Sequence, residues 1–181
     1  MRPDVLALRQ FYATALGRLA ARLIGARLGL DVADGPHDKR LLALGYGLPY
    51  LTAPASNADG QRVIAFMPER QGAVLWPEDG ANCVVLGDDM ALPFSDALFD
   101  AALVVHALEF VDHARGLLGE IWRVLAPGGM LVLVAPNRRS IWSRMENTPF
   151  GNGRPFSRGQ LAALLTDSLL SPVQWCQALY M

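Results

Sequence analysis

The residues best suited to chemistry follow the ends of short apolar runs. Gly45-Tyr46-Gly47 interrupts the run at residues 40–44, and Pro49 then offers a helix start. The first glycine permits a positive φ, the second lets a ligand approach the backbone, and the amides of a helix start face that ligand. A strand, a glycine turn and a helix start in this order indicate a nucleotide site in an open α/β sheet. The G-x-G pattern alone is weak evidence, because such turns also end strands that bind nothing.

Other polar residues follow further apolar runs at corresponding points. Asp88 and Asp89 come just after residues 83–86, and His106 comes directly after residues 99–105. Met67 ends another run, RVIAFM. Because the carboxyl ends of parallel strands meet at one edge of a sheet, we expect these residues to lie beside the glycine turn.

The apolar runs alternate with helical and turn patterns, which predicts a mostly parallel sheet with helices on both faces. We expect strands at residues 40–44, 62–67, 83–86, 99–105 and 130–135, with a sixth candidate at 172–179. We expect helices at residues 5–30, from Pro49, from Pro68, from the N-cap Asp112 to Leu125, and from the capping box at Ser157 and Gln160 to about Leu165. Gly25 and Gly29 weaken the end of the first helix and allow it to be two helices.

Composition predicts one globular domain, with an N-terminal helical segment at residues 1–38 and a sheet core at 39–181. Hydrophobic residues make up 52% of the 181 residues, charged residues make up 18%, and the net charge is −1. This balance argues against a dedicated nucleic-acid binder. Cys83 and Cys176 have no metal-binding spacing and suggest a reduced, cytoplasmic compartment, with a single bridge between them as the alternative. The sequence shows neither a membrane-spanning run nor a secretory signal.

Two groups of arginines each allow a bland and a functional interpretation. Arg9, Arg18, Arg22 and Arg27 lie in the first helix, which contains no acids over residues 5–30. That helix either binds a membrane surface or partner, or lies on the sheet with its arginines in water, which we favour. Arg138, Arg139, Arg144 and Arg154 follow the fifth strand. They either recognise an anionic acceptor or belong to a solvated loop, and we favour the loop.

Three segments of the chain resemble the class I S-adenosylmethionine-dependent methyltransferases of type 11. The segments are GDDMALPFSDALF at residues 87–99, HALE at 106–109 and WRVLAPGG at 122–129. The resemblance extends loosely over residues 39–165. It implies a Rossmann-like fold, S-adenosylmethionine as cofactor, and methyl transfer to an unidentified small-molecule or protein acceptor.

The resemblance also implies which residues contact the cofactor. The set is Gly45, Tyr46, Gly47, Met67, Asp88, Asp89, Met90 and His106. In this site Asp88 accepts a hydrogen bond from the adenine amino group, and the glycine turn passes under the ribose and methionine. His106 faces the methyl-transfer cavity. The resemblance assigns no catalytic residue.

The chain departs from the family pattern at several positions. Ala43 stands where an acid usually precedes the first glycine, Met67 stands near the usual ribose-binding acid, and Pro49 replaces the third glycine. These changes raise the alternative of a non-catalytic binding or scaffolding relative. A nucleotide-dependent oxidoreductase is disfavoured because Tyr50 stands where G-x-G-x-x-G needs glycine.

The family's seventh, antiparallel strand also has no counterpart in the sequence. The chain is then truncated, or a partner or second copy completes the sheet edge, or the sixth strand is left exposed.

Overall fold

A computed structural model describes residues 2–28, 39–51 and 62–179. The described residues form one five-stranded sheet in the order β3-β2-β1-β4-β5, with every neighbouring pair parallel. The strands are β1 (Arg40–Gly45), β2 (Arg62–Pro68), β3 (Val84–Gly87), β4 (Phe99–Val105) and β5 (Leu125–Val134). The helices are α1 (Val5–Ala13), α2 (Ala15–Leu28), α3 (Ala114–Val124) and α4 (Arg158–Asp167). The predicted parallel α/β architecture is confirmed.

The strands bury both faces because successive side chains point to opposite sides of the sheet. On β1, Leu42 and Leu44 belong to the core that α3 and α4 cover. Leu41 points the other way and packs with Trp76 and with Leu28 of α2. Both faces of the central strands are therefore apolar, and polar chemistry is confined to the strand ends.

The sheet reverses its strand order between β1 and β4. The chain runs outward from β1 to β3 and then returns, so that β4 pairs with the free side of β1. Tyr46 just after β1 donates its backbone N–H to the carbonyl of Val105 at 2.8 Å. Ligands of open α/β sheets bind at such a reversal, outside the carboxyl ends of the strands.

The first predicted helix is two helices, but the break lies at Thr14 and not at the glycines. The hydroxyl and the N–H of Thr14 both donate to the carbonyl of Phe11, at 2.7 and 3.0 Å, and end α1. At Gly17 a Cβ would lie 2.0 Å from that carbonyl, so the two helices cross where only glycine fits. Gly25 stays within α2, and Gly29 lies outside the described residues.

Two expected elements do not form. Glu69 and Gln71 belong to a turn instead of a helix, because Gly72 adopts φ +80° and both Gln71 and Gly72 donate to the carbonyl of Pro68. The sixth strand predicted at residues 172–179 is wrong, since that segment is described without strand pairing and Val173 is almost fully exposed. Pro172 also removes a backbone donor from it.

The remaining local predictions have mixed outcomes. The helix expected at Pro49 is one 3-10 turn, Leu48–Tyr50, and the N-cap of α3 is His113 and not Asp112. The Ser157 capping box is present, with both reciprocal hydrogen bonds. Both cysteines are free thiols, so the bridge alternative is wrong. Among the described residues, no helix has the length and apolarity to cross a membrane.

Arg123 of α3 fixes the segment that follows β3. Its guanidinium donates to the carbonyls of Leu92 and Phe94 at 2.9 and 2.7 Å, and to Glu120 Oε2 at 2.7 Å. Glu120 Oε2 in turn accepts the N–H of Leu92 at 2.8 Å. The hydrogen bond from Arg123 lowers the pKa of Glu120 below its ordinary value.

We expect Glu120→Gln to lower the free energy of unfolding at neutral pH by about 1 kcal/mol, because the amide keeps an acceptor but loses the ion pair. The folded-state pKa of Glu120 is depressed, so its contribution is present above the unfolded-state pKa and lost as the pH falls. Urea denaturation between neutral pH and about pH 3 measures this. The free energies of unfolding of the wild type and Glu120→Gln should therefore converge as the pH falls, whereas the exposed control Glu146→Gln should show no such convergence. If the difference between the wild type and Glu120→Gln stays constant on acidification, the assignment is wrong.

Candidate active site

The glycine turn after β1 has the close backbone packing that its sequence predicts. Gly45 adopts φ +90°, and a Cβ there would lie 2.1 Å from the carbonyl oxygen of Val105. At Gly47 a Cβ would lie 3.2 Å from the Cβ of Ala43, which is buried beneath it. Glycine at position 45 therefore lets β1 and the end of β4 pack directly on each other, at a φ that other residues rarely adopt.

The acidic pair after β3 divides into two environments. Asp88 is exposed, and its Oδ1 accepts the N–H of Met90 at 2.8 Å. Asp89 is largely buried and forms an ion pair with Arg2 at 2.5 Å. Met90 packs over Gly116, where a Cβ would lie 2.2 Å from the methyl carbon of Met90. Of the two carboxylates, that of Asp88 is the one exposed at the surface of this edge.

His106 follows β4 in a buried, strained conformation. Its φ is +52°, in the left-handed region, and its side chain is 1% exposed. Nε2 lies 2.8 Å from the hydroxyl of Tyr12, and Nδ1 lies 3.3 Å from Oε1 of Glu109. The ring of Phe150 packs on the imidazole at 5.0 Å. Every polar atom of the imidazole therefore has a side-chain partner.

Helix α1 lies across the carboxyl edge of the sheet. Tyr12 stacks on Tyr46 with ring centroids 5.7 Å apart, and Val5 and Leu8 share a buried cluster with Met67. The helix therefore covers Tyr46 and Met67, two of the residues predicted to contact the cofactor. The sequence favoured a helix on the sheet over a membrane or partner helix but did not place it over this edge, and the aromatic residues Phe11 and Tyr12 in an otherwise aliphatic stripe were the available signal.

Gln71 is a second residue that sequence analysis missed. Its side chain is 2% exposed, and its Nε2 donates to the carbonyl of Gly45 at 3.0 Å. Its Oε1 is buried and has no hydrogen-bond partner among the described residues. Its backbone carbonyl accepts the N–H of Val5, which ties it to α1. The glycine turn thus has an unused buried acceptor beside it.

A third unpredicted group consists of the hydroxyls and carboxylate around His106. The hydroxyls of Tyr12 and Tyr50 lie 3.1 Å apart. Burial raises the pKa of Tyr12 well above its ordinary value and that of Tyr50 to about 12. Both phenols therefore hold their protons at neutral pH. Oε2 of Glu109 is buried and has no partner among the described residues.

A surface depression opens beside Tyr12. Its volume is about 590 Å³, and it is lined by Tyr12, Arg18, Ala21, Arg22 and Pro49. Arg18 and Arg22 stand one turn apart on α2, so the depression has a cationic side next to the glycine turn.

Comparisons with known proteins agree with this architecture. A family model described as a methyltransferase domain matches residues 42–133, just over half of the chain. The ubiquinone/menaquinone biosynthesis C-methyltransferase of Ruegeria sp. is 35% identical over 118 residues, which cover 61% of this chain and 42% of that protein. The matched segments span only 14% to 42% of the length of this and three other curated relatives.

Solved structures share the fold at low sequence identity. A methyltransferase of Thermotoga maritima superposes with a TM-score of 0.64 at 23% identity and covers 91% of this chain and 76% of its own. The 1,6-didemethyltoxoflavin-N1-methyltransferase of Burkholderia thailandensis, solved with S-adenosylhomocysteine, has a TM-score of 0.59 at 20% identity, with coverages of 94% and 76%. Given the family model and this shared fold, the chain belongs to the class I S-adenosylmethionine-dependent methyltransferases.

Proposed function

We propose that this protein transfers the methyl group of S-adenosylmethionine to a small-molecule acceptor. Family membership supports the cofactor, and the glycine turn at the β1–β4 reversal supports its position. The observation that carries the proposal is the buried Oε1 of Gln71 beside Gly45, which has no partner in the described parts of the chain. A buried acceptor without a donor is costly to a folded protein unless a ligand supplies the donor.

Gln71 lies near the end of β2, where the sequence lacks the usual acid that binds the ribose. The ribose of the cofactor offers hydroxyl donors, and Met67 at the end of β2 has no acceptor for them. Gln71 lies in the turn after β2, with its Nε2 already bound to the glycine turn. We infer that its Oε1 accepts a ribose hydroxyl in place of the usual acid.

The remaining contacts follow the resemblance and the geometry together. We assign Asp88 to the adenine amino group, because its carboxylate is the exposed one after β3. We assign Gly45, Tyr46 and Gly47 to the methionine and ribose, because they follow β1 at the reversal of strand order. Met67 and Met90 are assigned as apolar walls, and α1 excludes water above Met67.

The bound sulfonium supplies an already activated methyl group, so the protein has to align the acceptor and remove its proton where one is present. Relatives named as a demethylmenaquinone methyltransferase and as a ubiquinone/menaquinone biosynthesis C-methyltransferase support a quinone-related aromatic acceptor. We propose this acceptor class for the present chain.

S-adenosylmethionine and S-adenosylhomocysteine should both bind, with dissociation constants in the range of roughly 1 μM to 1 mM that is usual for enzyme substrates. Isothermal titration calorimetry and a thermal-shift assay measure this. If millimolar ligand produces neither heat nor a shift, the proposed function is wrong.

Asp88→Ala should weaken S-adenosylhomocysteine binding by about tenfold, the equivalent of one hydrogen bond to an adenine amino group. Calorimetry measures the change. Asp79→Ala removes an exposed acid from the loop before β3 and serves as the control. Equal affinities for the two folded variants would remove Asp88 from the site.

Gln71→Leu should weaken S-adenosylhomocysteine binding by about tenfold, because it removes the acceptor for the ribose. To isolate this contact, adenosine and 2′,3′-dideoxyadenosine are each titrated in competition with S-adenosylhomocysteine. The second nucleoside lacks the 2′- and 3′-hydroxyls of the ribose. In wild type the two nucleosides should differ in affinity, and in Gln71→Leu the difference should shrink. A difference of unchanged size in the leucine variant would show that Gln71 does not touch the ribose.

A further inference from the structure

Three polar side chains form a buried line at the end of β4. Tyr12 comes from α1, His106 follows β4, and Glu109 comes from the 3-10 turn Leu108–Phe110. Consecutive groups lie 2.8 and 3.3 Å apart. Among the described residues, the ion-pair contact of Glu109 is with His106 alone, and its Oε2 has no partner. A carboxylate buried in this way needs a reason beyond stability, since desolvation disfavours it.

The hydrogen bonds of this line can be given a direction. A carboxylate only accepts, so His106 Nδ1 donates to Glu109, and Nε2 is left as an acceptor. The hydroxyl of Tyr12 then donates to Nε2, and the hydroxyl of Tyr50 donates to the oxygen of Tyr12. Phe150 supplies an apolar wall. In each of these hydrogen bonds the donor is the group farther from Glu109. The line can therefore accept a proton at Tyr12 and pass a proton on to His106.

Two further observations point to function at this position. His106 is a non-glycine residue with φ +52°, and strained residues of this kind cluster at active sites. Tyr12 also lines the depression that Arg18, Arg22 and Pro49 border. The tyrosine end of the line is thus the end that a molecule in the depression reaches first, next to the glycine turn.

We propose that Tyr12, His106 and Glu109 together form the general base of the methyl transfer. This base acts on a methyl acceptor whose nucleophile begins as an ionisable hydroxyl. The proposal rests on the proposed function and adds to it the catalytic groups and the protonation state of the acceptor. The cationic side of the depression favours the anion that forms when this hydroxyl loses its proton.

The step balances within these groups. The acceptor hydroxyl gives its proton to the oxygen of Tyr12 while Tyr12 gives its own proton to Nε2 of His106. Glu109 stabilises the resulting imidazolium through Nδ1. The acceptor uses the freed electron pair to bond the methyl carbon, and the sulfur keeps the electron pair of the broken bond as a neutral thioether. His106 later releases the proton to water.

Two matched probes test this, with radiolabelled methyl transfer as the readout. Catechol must lose a proton to react, whereas 4-nitrocatechol is already ionised near neutral pH. Tyr12→Phe keeps the ring that stacks on Tyr46 and removes only the hydroxyl. We expect it to lower kcat for catechol by about a hundredfold, the usual contribution of a general base, and to lower kcat for 4-nitrocatechol by no more than about threefold.

Glu109→Gln should show the same selective loss, and the exposed control Glu146→Gln should show none. Thermal unfolding establishes that each variant is folded, and calorimetry with S-adenosylhomocysteine separates the two proposals. A wild type that binds no S-adenosylhomocysteine defeats the proposed function. If the wild type binds S-adenosylhomocysteine, three results would each defeat only the present inference. These are that neither probe is methylated, that Tyr12→Phe leaves the catechol rate unchanged, or that Tyr12→Phe slows both probes equally.

Discussion

The burial of both faces of a parallel sheet is the constraint on which the remaining structure depends. Leu41 and Leu42 of β1 point into opposite apolar cores, as do Ala102 and Leu103 of β4. A polar side chain within either strand would face a core without a partner. Function is therefore confined to the strand ends, and the reversal between β1 and β4 brings Gly45 and His106 to the same place.

Helix α1 becomes part of the site because buried polar groups need partners. His106 stands 94 residues from Tyr12 in sequence, yet their hydrogen bond joins the N-terminal helix to the end of β4. Without Tyr12, Nε2 of the buried imidazole would lose its partner, at a cost of about 1–3 kcal/mol. The same helix covers Met67, and Arg2 in the segment just before it pairs with Asp89. Covering the edge and supplying chemical groups to it are thus a single structural role.

Several features that depend on local pattern are predicted from the sequence. The limits of β4, the capping box at Ser157 and the glycine turn follow from apolar runs and turn residues near each position. The contacts of Gln71 and Tyr12 depend on chain segments far away in sequence, so no local pattern contains them. The helix expected after Pro68 failed for a related reason, because Gly72 and the backbone bonds of the turn override its weak helical tendency.

The loss of the ribose acid and the position of α1 explain each other. Met67 packs beneath Val5 and Leu8, where a carboxylate would be desolvated. A neutral amide suits this dry edge better, and Gln71 holds one there through Gly45. Among the residues that the structure describes, Oε1 of Gln71 and Oε2 of Glu109 are buried without a hydrogen-bond partner, and each such atom costs a folded protein about 1–3 kcal/mol. Ligand donors would satisfy these two acceptors, one of which lies beside Gly45 and the other beside His106.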